Sequence, residues 1–439
     1  MKKVVIAAGA FAKFPAFGVL RKVEKRPARR FGTDGFSERG NRKKESCARQ
    51  VVRKFRWCIM TCSDRGEPEI FSSRKRDKYA PMHKENEKVP SFVFIIHPRD
   101  WSDLGRPVAA ALRLDPRLCV RIFSFAPLRF FFGSLFLLGG VVFPRLRFVP
   151  CTPRGFDAAG AARGYIVSVT LSAWQMKQMM KREFTRRLAY RFVASAIRYA
   201  EKKYGVVRAG LGAISAPLAK GGLWPAEDRR IGAKITHGDT LTGVFTVRIL
   251  SAADELFSFG GFADKTVAVV GASGLVGSVA TRQIAREFSP KKMILIAHRN
   301  RERLAEIKEA LFARDNYRGE VELSLSVASI AAADVVILTT TAPGDIVSAQ
   351  ILKDGALVVD MAQPINMSER IWRACLSAGK KVYRVDGGFV NIPGVKLKFP
   401  LGPPPGTTFA CLVETMVETM DGLEGDYVGI VDDMDFARE

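Results

Sequence analysis

The chain has 439 residues, 47% of them hydrophobic and 26% charged, with a formal net charge of +25. That length leaves room for two or three domains, since single cores rarely grow past about 250 residues, and the composition is that of a globular protein rather than a collagenous or low-complexity one. Seven cysteines without a CxxC pair and four histidines (His83, His97, His237, His298) without ligand spacing exclude a disulfide framework and a zinc pattern, so no metal is expected and the reducing cytoplasm is the expected compartment.

The charge is uneven, with 24 Lys plus Arg against 10 Asp plus Glu in residues 1–90. Such a front can meet nucleic acid, an anionic membrane face or an acidic protein, and net charge does not choose among them; a solvated tail is the simplest reading. Residues 1–85 show no sustained period and read as a basic, disordered extension. Ser91 to His97 reads as a buried strand opening a substrate domain over 90–255. The run Phe130 to Phe143 is strongly apolar, yet it is shorter than the roughly 20 residues a bilayer span needs and is interrupted by Gly133, Gly139 and Gly140, so it reads as a buried core segment. Gly164 to Ser172 reads as a strand and Ala173 to Tyr204 as one long helix. Next come the Gly-rich Val206 to Ile214, a turn at Gly238 and Asp239, and a helix reaching about Phe257.

From Lys265 the pattern alternates strand and helix, with strands at Thr266 to Val270, Met293 to Ala297, Val321 to Val327, Val335 to Thr339, Ala356 to Met361 and Lys381 to Val385. That alternation marks an α/β fold with a doubly wound, Rossmann-type domain over 256–400. A Pro-rich stretch leads to a C-terminal helical segment, 401–439, whose helix is expected over Phe409 to Gly422.

The loop Gly271, Ala272, Ser273, Gly274, Leu275, Val276, Gly277 joins the first of these strands to a helix. In that setting glycines permit a tight turn and let backbone N–H groups approach a pyrophosphate at the positive helix end. Where an NAD-binding domain usually places a carboxylate against the ribose, this chain has His298, Arg299, Asn300, Arg301. Arg299 and Arg301 suit a 2′-phosphate through charge-assisted forked hydrogen bonds, which favours NADPH over NADH. Thr340 and Thr341 fall on the carboxyl edge where the nicotinamide half would lie. A cofactor of this kind also argues for the cytosolic pool over export of Met1 to Ala12, which superficially imitates a signal peptide.

Cys411 lies just inside the last helix, with Thr407 or Thr408 as its expected cap. Unpaired amides and the helix dipole there are expected to lower the thiol pKa and make the sulfur nucleophilic. A cysteine in an apolar helix is otherwise more often a small core residue.

From about Phe92 to Gly422 the sequence resembles the long-chain acyl-[acyl-carrier-protein] reductases, fatty-aldehyde-forming enzymes. The matching segments, in order, are IIHP (Ile95 to Pro98), GLGA (Gly210 to Ala213), GDTLT (Gly238 to Thr242), GASGLVG, HRNRERL (His298 to Leu304), DGGFV (Asp386 to Val390) and TFACLVE (Thr408 to Glu414). The resemblance implies that Cys411 takes the acyl group from an acyl-carrier protein or acyl-CoA and that the 271–277 loop holds NADPH. The segment 1–85 has no counterpart in that family, and residues 100–150 match weakly. Backbone donors at the helix start, or the hydroxyls of Thr240 and Thr242, are the candidate oxyanion donors. The Phe-rich region 122–143 is a candidate lining for the acyl chain. Lys177, Lys181, Arg182, Arg186, Arg187, Lys202 and Lys203 could dock an acidic carrier, though a solvated helix face explains them equally well. Two other readings stay open: a shikimate-dehydrogenase-like enzyme with a Lys–Asp pair and no cysteine nucleophile, and a dinucleotide-sensing nucleic-acid-binding protein. No specific nucleic acid is expected, while peripheral contact with a membrane is left open, as is the oligomeric state.

Overall fold

Runs of β-branched and aliphatic residues, each closed by glycine or a polar turn, assemble into two sheets that share a long helix between them. The computed structural model describes residues 3–9, 17–23, 89–98, 103 and 115–429, other than 343, 393, 394, 396, 398, 400 and 404–406. In chain order the strands are β1 (Lys3–Gly9), β2 (Phe17–Val23), β3 (Ser91–Ile96), β4 (Phe148–Pro150), β5 (Phe156–Ala158), β6 (Ala162–Val169), β7 (Arg208–Leu211) and β8 (Lys234–Thr236). These are followed by β9 (Thr266–Val270), β10 (Lys292–Ile296), β11 (Glu320–Ser324), β12 (Val335–Leu338), β13 (Leu357–Asp360), β14 (Tyr383–Asn391) and β15 (Thr407–Phe409). The helices are α1 (Pro116–Ser124), α2 (Ala126–Val142), α3 (Ala173–Met179), α4 (Glu183–Tyr204), α5 (Ser215–Leu218), α6 (Leu223–Glu227), α7 (Asp239–Phe257), α8 (Leu275–Phe288), α9 (Arg301–Ala313), α10 (Glu369–Ser377) and α11 (Ala410–Met420).

The larger sheet runs β11-β10-β9-β12-β13-β14, all parallel. This is the 3-2-1-4-5-6 order of the doubly wound dinucleotide fold, which places its ligand crevice outside the carboxyl ends of β9 and β12. Its central strands β9, β10, β12 and β13 are buried on both faces, by one apolar cluster around Val267, Val269 and Leu295 and another around Ala268, Ile294 and Val336, hence their largely apolar runs. β1 extends the sheet parallel to β14, and β2 pairs antiparallel with β1. Residues 3–9 and 17–23 therefore leave the expected disordered extension, Val4, Val5 and Ile6 in the first and Val19, Leu20 and Val23 in the second suiting a sheet edge. The rest of that extension lies outside the described residues.

The smaller sheet runs β4-β6-β3-β7-β8, with β5 also on β6. Helix α4 covers one face through Phe192, Val193, Ala196 and Ile197. The other face is covered by α11, whose Leu412 and Met416 pack on Phe92, Phe94 and Ile166. The chain thus returns after the Rossmann sheet, lays its last long helix on the first domain and adds Tyr427 beside Thr236 at the edge of β8. The segment 401–439 is, over its described part, a layer of the substrate domain. The expected long helix over 173–204 is two, α3 and α4, with α4 beginning at an uncapped Arg182.

The apolar run 130–143 departs most from expectation. It is helical as far as Val142, and among its described side chains Phe131, Leu135, Leu138 and Val142 are exposed while the positions of Gly133 and Gly140 are buried. Helical spacing explains this: residues 131, 135, 138 and 142 fall on one side and 133, 137 and 140 on the opposite one.

Candidate active site

The cofactor loop is built as its glycines require. Gly271 takes φ +93 at the end of β9, and a Cβ on Gly277 would lie 2.2 Å from the Gly271 carbonyl oxygen, so only glycine lets the first turn of α8 pack this close to the strand. Helix α8 starts at Gly274 with no side-chain cap, which leaves its first-turn N–H groups open to a diphosphate. Arg299 and Arg301 are exposed just past the carboxyl end of β10, flanking Asn300, whose side chain caps α9 by accepting from Arg303 N–H (3.2 Å). The Thr339 hydroxyl donates to Val270 O (2.9 Å), and that of Thr340 donates to Asn366 Oδ1 (2.6 Å), so both serve the crevice wall rather than present a free hydroxyl. The Thr341 carbonyl accepts from Lys177 Nζ of α3, a link between the two domains at the crevice edge.

Helix α7 also begins at a glycine, Gly238 (φ +73), without a cap of its own. Its cap arrives from another helix. Glu414 of α11 accepts from Leu241 N–H (2.6 Å) and from the Thr236 hydroxyl (2.8 Å), so a buried carboxylate sits where a dipole favours one. This ties the head of α11 to the head of α7 and brings Cys411 against Gly238, where a Cβ would meet the Cys411 Cβ at 2.4 Å and its Cα at 2.6 Å. Five residues on, Gly243 packs on Val279 of α8, where a Cβ would lie 2.6 Å from the valine Cβ. The cysteine, α7 and the cofactor helix form one continuous stack. On α11's other side, Gly210 of β7 leaves the space that Thr415 fills.

Behind Cys411 lies a buried polar network that sequence reasoning missed. Arg208, 2% exposed, donates to Glu418 Oε2 (2.9 Å) and to the carbonyls of Leu423 and Gly425. The Thr236 hydroxyl lies between Glu414 Oε1 and Glu418 Oε1 (3.2 Å). Two buried acids share one cation, and burial pushes Glu414 up to about 7 and raises Glu418 as well. Glutamates three and seven residues after the cysteine were the available signal, but their partners in β7 and β8 are remote in sequence.

The thiol is not activated in the way the helix start alone suggests. Burial, with Asp239 and Glu414 nearby, pushes the Cys411 thiol up to about 12, outweighing the backbone donors of Cys411 and Leu412 that lower it. Helix α11 is headed by Phe409 with no side-chain cap, and Thr407 and Thr408 belong instead to β15, paired antiparallel with β14. The residue as a whole is half-buried. Asp239, next to it, has its carboxyl held well above the usual carboxylate range by burial and by Glu414. His237 is kept neutral, its pKa lowered to about 4 by burial. Its Nδ1 accepts from Asp239 N–H (2.9 Å) and its Nε2–H donates to Gly429 O (3.1 Å), a structural role that leaves no nitrogen for acid or base work. The Thr242 hydroxyl donates back to Gly238 O (2.9 Å), whereas the Thr240 hydroxyl is fully buried and meets no partner among the described residues. Of the two threonines, Thr240 keeps its donor to spare.

Fold and loop together define a dinucleotide-binding domain of the oxidoreductase type. Residues 267–389 match the family model described as the saccharopine dehydrogenase NADP binding domain, and the cofactor this domain takes is NADPH. The long-chain acyl-[acyl-carrier-protein] reductase of Synechococcus elongatus is 27% identical over 195 residues, 43% of this chain and 53% of that protein, so the aligned part spans about half of that relative. Among solved structures, the 5-ketofructose reductase of Gluconobacter sp. strain CHM43 aligns over 79% of this chain and 96% of its own, at 10% identity and a TM-score of 0.35. The Δ1-pyrroline-2-carboxylate reductase of Thermococcus litoralis aligns over 44% and 68%, at 11% identity and a TM-score of 0.28. Structural likenesses this loose carry no argument about activity.

Proposed function

We propose that the protein is an NADPH-dependent reductase that converts a long-chain acyl thioester, carried on acyl-carrier protein or coenzyme A, to the fatty aldehyde through an acyl group held on Cys411. The supporting observation is the stack that joins nucleophile to cofactor helix: Cys411 on Gly238, and Gly243 on Val279. The S. elongatus relative adds that a protein sharing part of this sequence is named for that reaction.

The residues divide the work as follows. The open amides of α8 and the arginines 299 and 301 hold NADPH, which when bound supplies a hydride to the acyl carbonyl carbon. Cys411 sulfur, having given up its proton, attacks the thioester carbonyl, and the carrier sulfur leaves as its bond to carbon breaks. The departing sulfur takes a proton from Asp239, whose carboxyl burial keeps protonated, and Asp239 takes up the one that Cys411 releases, so the exchange balances. The Thr240 hydroxyl, unsatisfied in its buried position, is the side-chain donor for the developing oxyanion. After reduction, the hemithioacetal on Cys411 collapses, freeing aldehyde and restoring the sulfur. Because the resting thiol is protonated, attack depends on substrate arrival to move that proton.

The test is incubation with a long-chain acyl thioester without NADPH, followed by mass spectrometry of the Cys411 peptide. An acyl adduct that is absent in Cys411→Ala supports the reading. Turnover that persists in Cys411→Ala rejects it in favour of a reductase with no cysteine nucleophile.

A further inference from the structure

We propose that the outer face of α2 and the arginine cleft at its carboxyl end form a docking surface for an anionic phospholipid bilayer, on which the protein lies without crossing it. Two features meet there. The first is the apolar stripe of Phe131, Leu135, Leu138 and Val142, exposed by 61, 48, 67 and 67%. Four such residues on one solvent-facing side span about 16 Å of helix. A soluble surface helix puts polar residues there, and contiguous apolar surface of this kind marks an interaction site.

The second feature is charge. A cleft of about 610 Å³ opens beside the end of α2, lined by Arg147, Arg187, Arg191, Arg198 and Arg230 against only Glu227 and Asp228. Arg147 joins the two features directly, donating to the carbonyls of Gly140 (2.6 Å) and Val141 (3.3 Å) in the last turn of α2 while lining the cleft. Arg230 is bound to Asp228 (2.8 Å) and Arg187 to Glu183 (3.3 Å), but Arg191 and Arg198 pair with no described carboxylate. Their charges press on Arg147, whose pKa is lowered chiefly by burial and then by these two neighbours. An assembly of like charges that raises its own energy calls for anions from outside.

Acyl layer and phosphate headgroups at one edge are what a bilayer offers, and a helix lying at that depth buries its apolar face by roughly 5–10 Å. No described helix is long and apolar enough to cross. The chain's own segment 24–88, with 19 Lys plus Arg against 10 Asp plus Glu, would be repelled from the cleft. The face also lies across the smaller sheet from α11, so the proposal does not rest on the acyl chemistry of Cys411.

The test is flotation of the full chain with vesicles of 70% phosphatidylcholine and 30% phosphatidylglycerol, beside vesicles of phosphatidylcholine alone. Binding is expected to the first and to be at least tenfold weaker to the second. The double variant Leu138→Ser/Val142→Ser, which changes no charge, should cut binding to the anionic vesicles at least tenfold, and Arg191→Gln/Arg198→Gln about tenfold. Far-UV circular dichroism and melting temperature should stay at wild-type values, since the substituted side chains lie on the surface. Anionic-vesicle binding that survives both double variants unchanged overturns the proposal and assigns the affinity to the basic front segment. A lower solution mass for the serine variant than for wild type, by light scattering without lipid, also overturns it, making the face a contact between copies of the chain.

Discussion

Helices α7 and α8 both begin at a glycine with no cap of their own, and the two starts differ in what meets them. At α8 the amides after Gly274 meet no side-chain cap, and the proposed function puts the cofactor diphosphate there. At α7 the corresponding amides after Gly238 are filled by Glu414, which lies 173 residues away from Leu241 in sequence. On that proposal one start binds a ligand, whereas the other binds the protein to itself and sets Cys411 against Gly238. The same local physics, an unsatisfied positive helix end, supplies both recognition and positioning, and what differs is whether the anion comes from outside or from the chain.

Breaking each start separately should give opposite losses. Gly238→Ala forces a methyl into Cys411 at a left-handed φ, and is expected to destabilise the protein by on the order of 3 kcal/mol. It should cut acylation of Cys411 about a hundredfold while leaving NADPH binding in the surviving folded fraction near wild type. Gly277→Ala should do the reverse, weakening NADPH binding by about tenfold to a hundredfold through the clash with Gly271 O and sparing acylation. Adduct yield and NADPH fluorescence titration, measured on both variants, check the pair.

The internal anion makes its own pH signature. Glu414 is raised to about 7 in the folded protein against about 4.3 when unfolded, so the folded state holds the extra proton between those values. Its contribution is complete below about pH 4.3 and is lost as pH rises through 7, by on the order of 4 kcal/mol. Relative to Glu414→Gln, which carries no charge to titrate, the wild-type melting temperature should therefore fall between pH 5 and 8. A constant difference across that range would contradict the buried-acid account.

The smallest effect is expected at the exposed end of the cofactor. Arg299→Ala or Arg301→Ala removes a charge-assisted contact from a solvated site and should raise the KM for NADPH about tenfold, with that for NADH unchanged.

These contrasts follow what could be read from the residues in order. The α8 start was legible because strand, glycine loop and helix are contiguous, and the parallel order of the larger sheet follows from the same alternation. Cys411 was legible as a candidate, but its environment was not. Glu414, Glu418, Arg208 and Asp239 become one network only when α11 folds back on β7 and β8, and the thiol's raised pKa is a product of that closure. Thr407 and Thr408 read as caps because their spacing is right, yet pairing with β14 claims them first. The apolar stretch 130–143 was read as wholly buried because counting apolar residues does not say which side of a helix meets the rest of the chain.

The most direct measurement of the central claim is a single turnover. Enzyme loaded with an acyl group on Cys411 and freed of excess thioester is mixed with NADPH, and aldehyde and oxidised cofactor are counted together. The stack of Cys411, α7 and α8 predicts one equivalent of each, with loss of the acyl adduct at the same rate. An acyl group that stays on the cysteine while NADPH is bound but not consumed would contradict it.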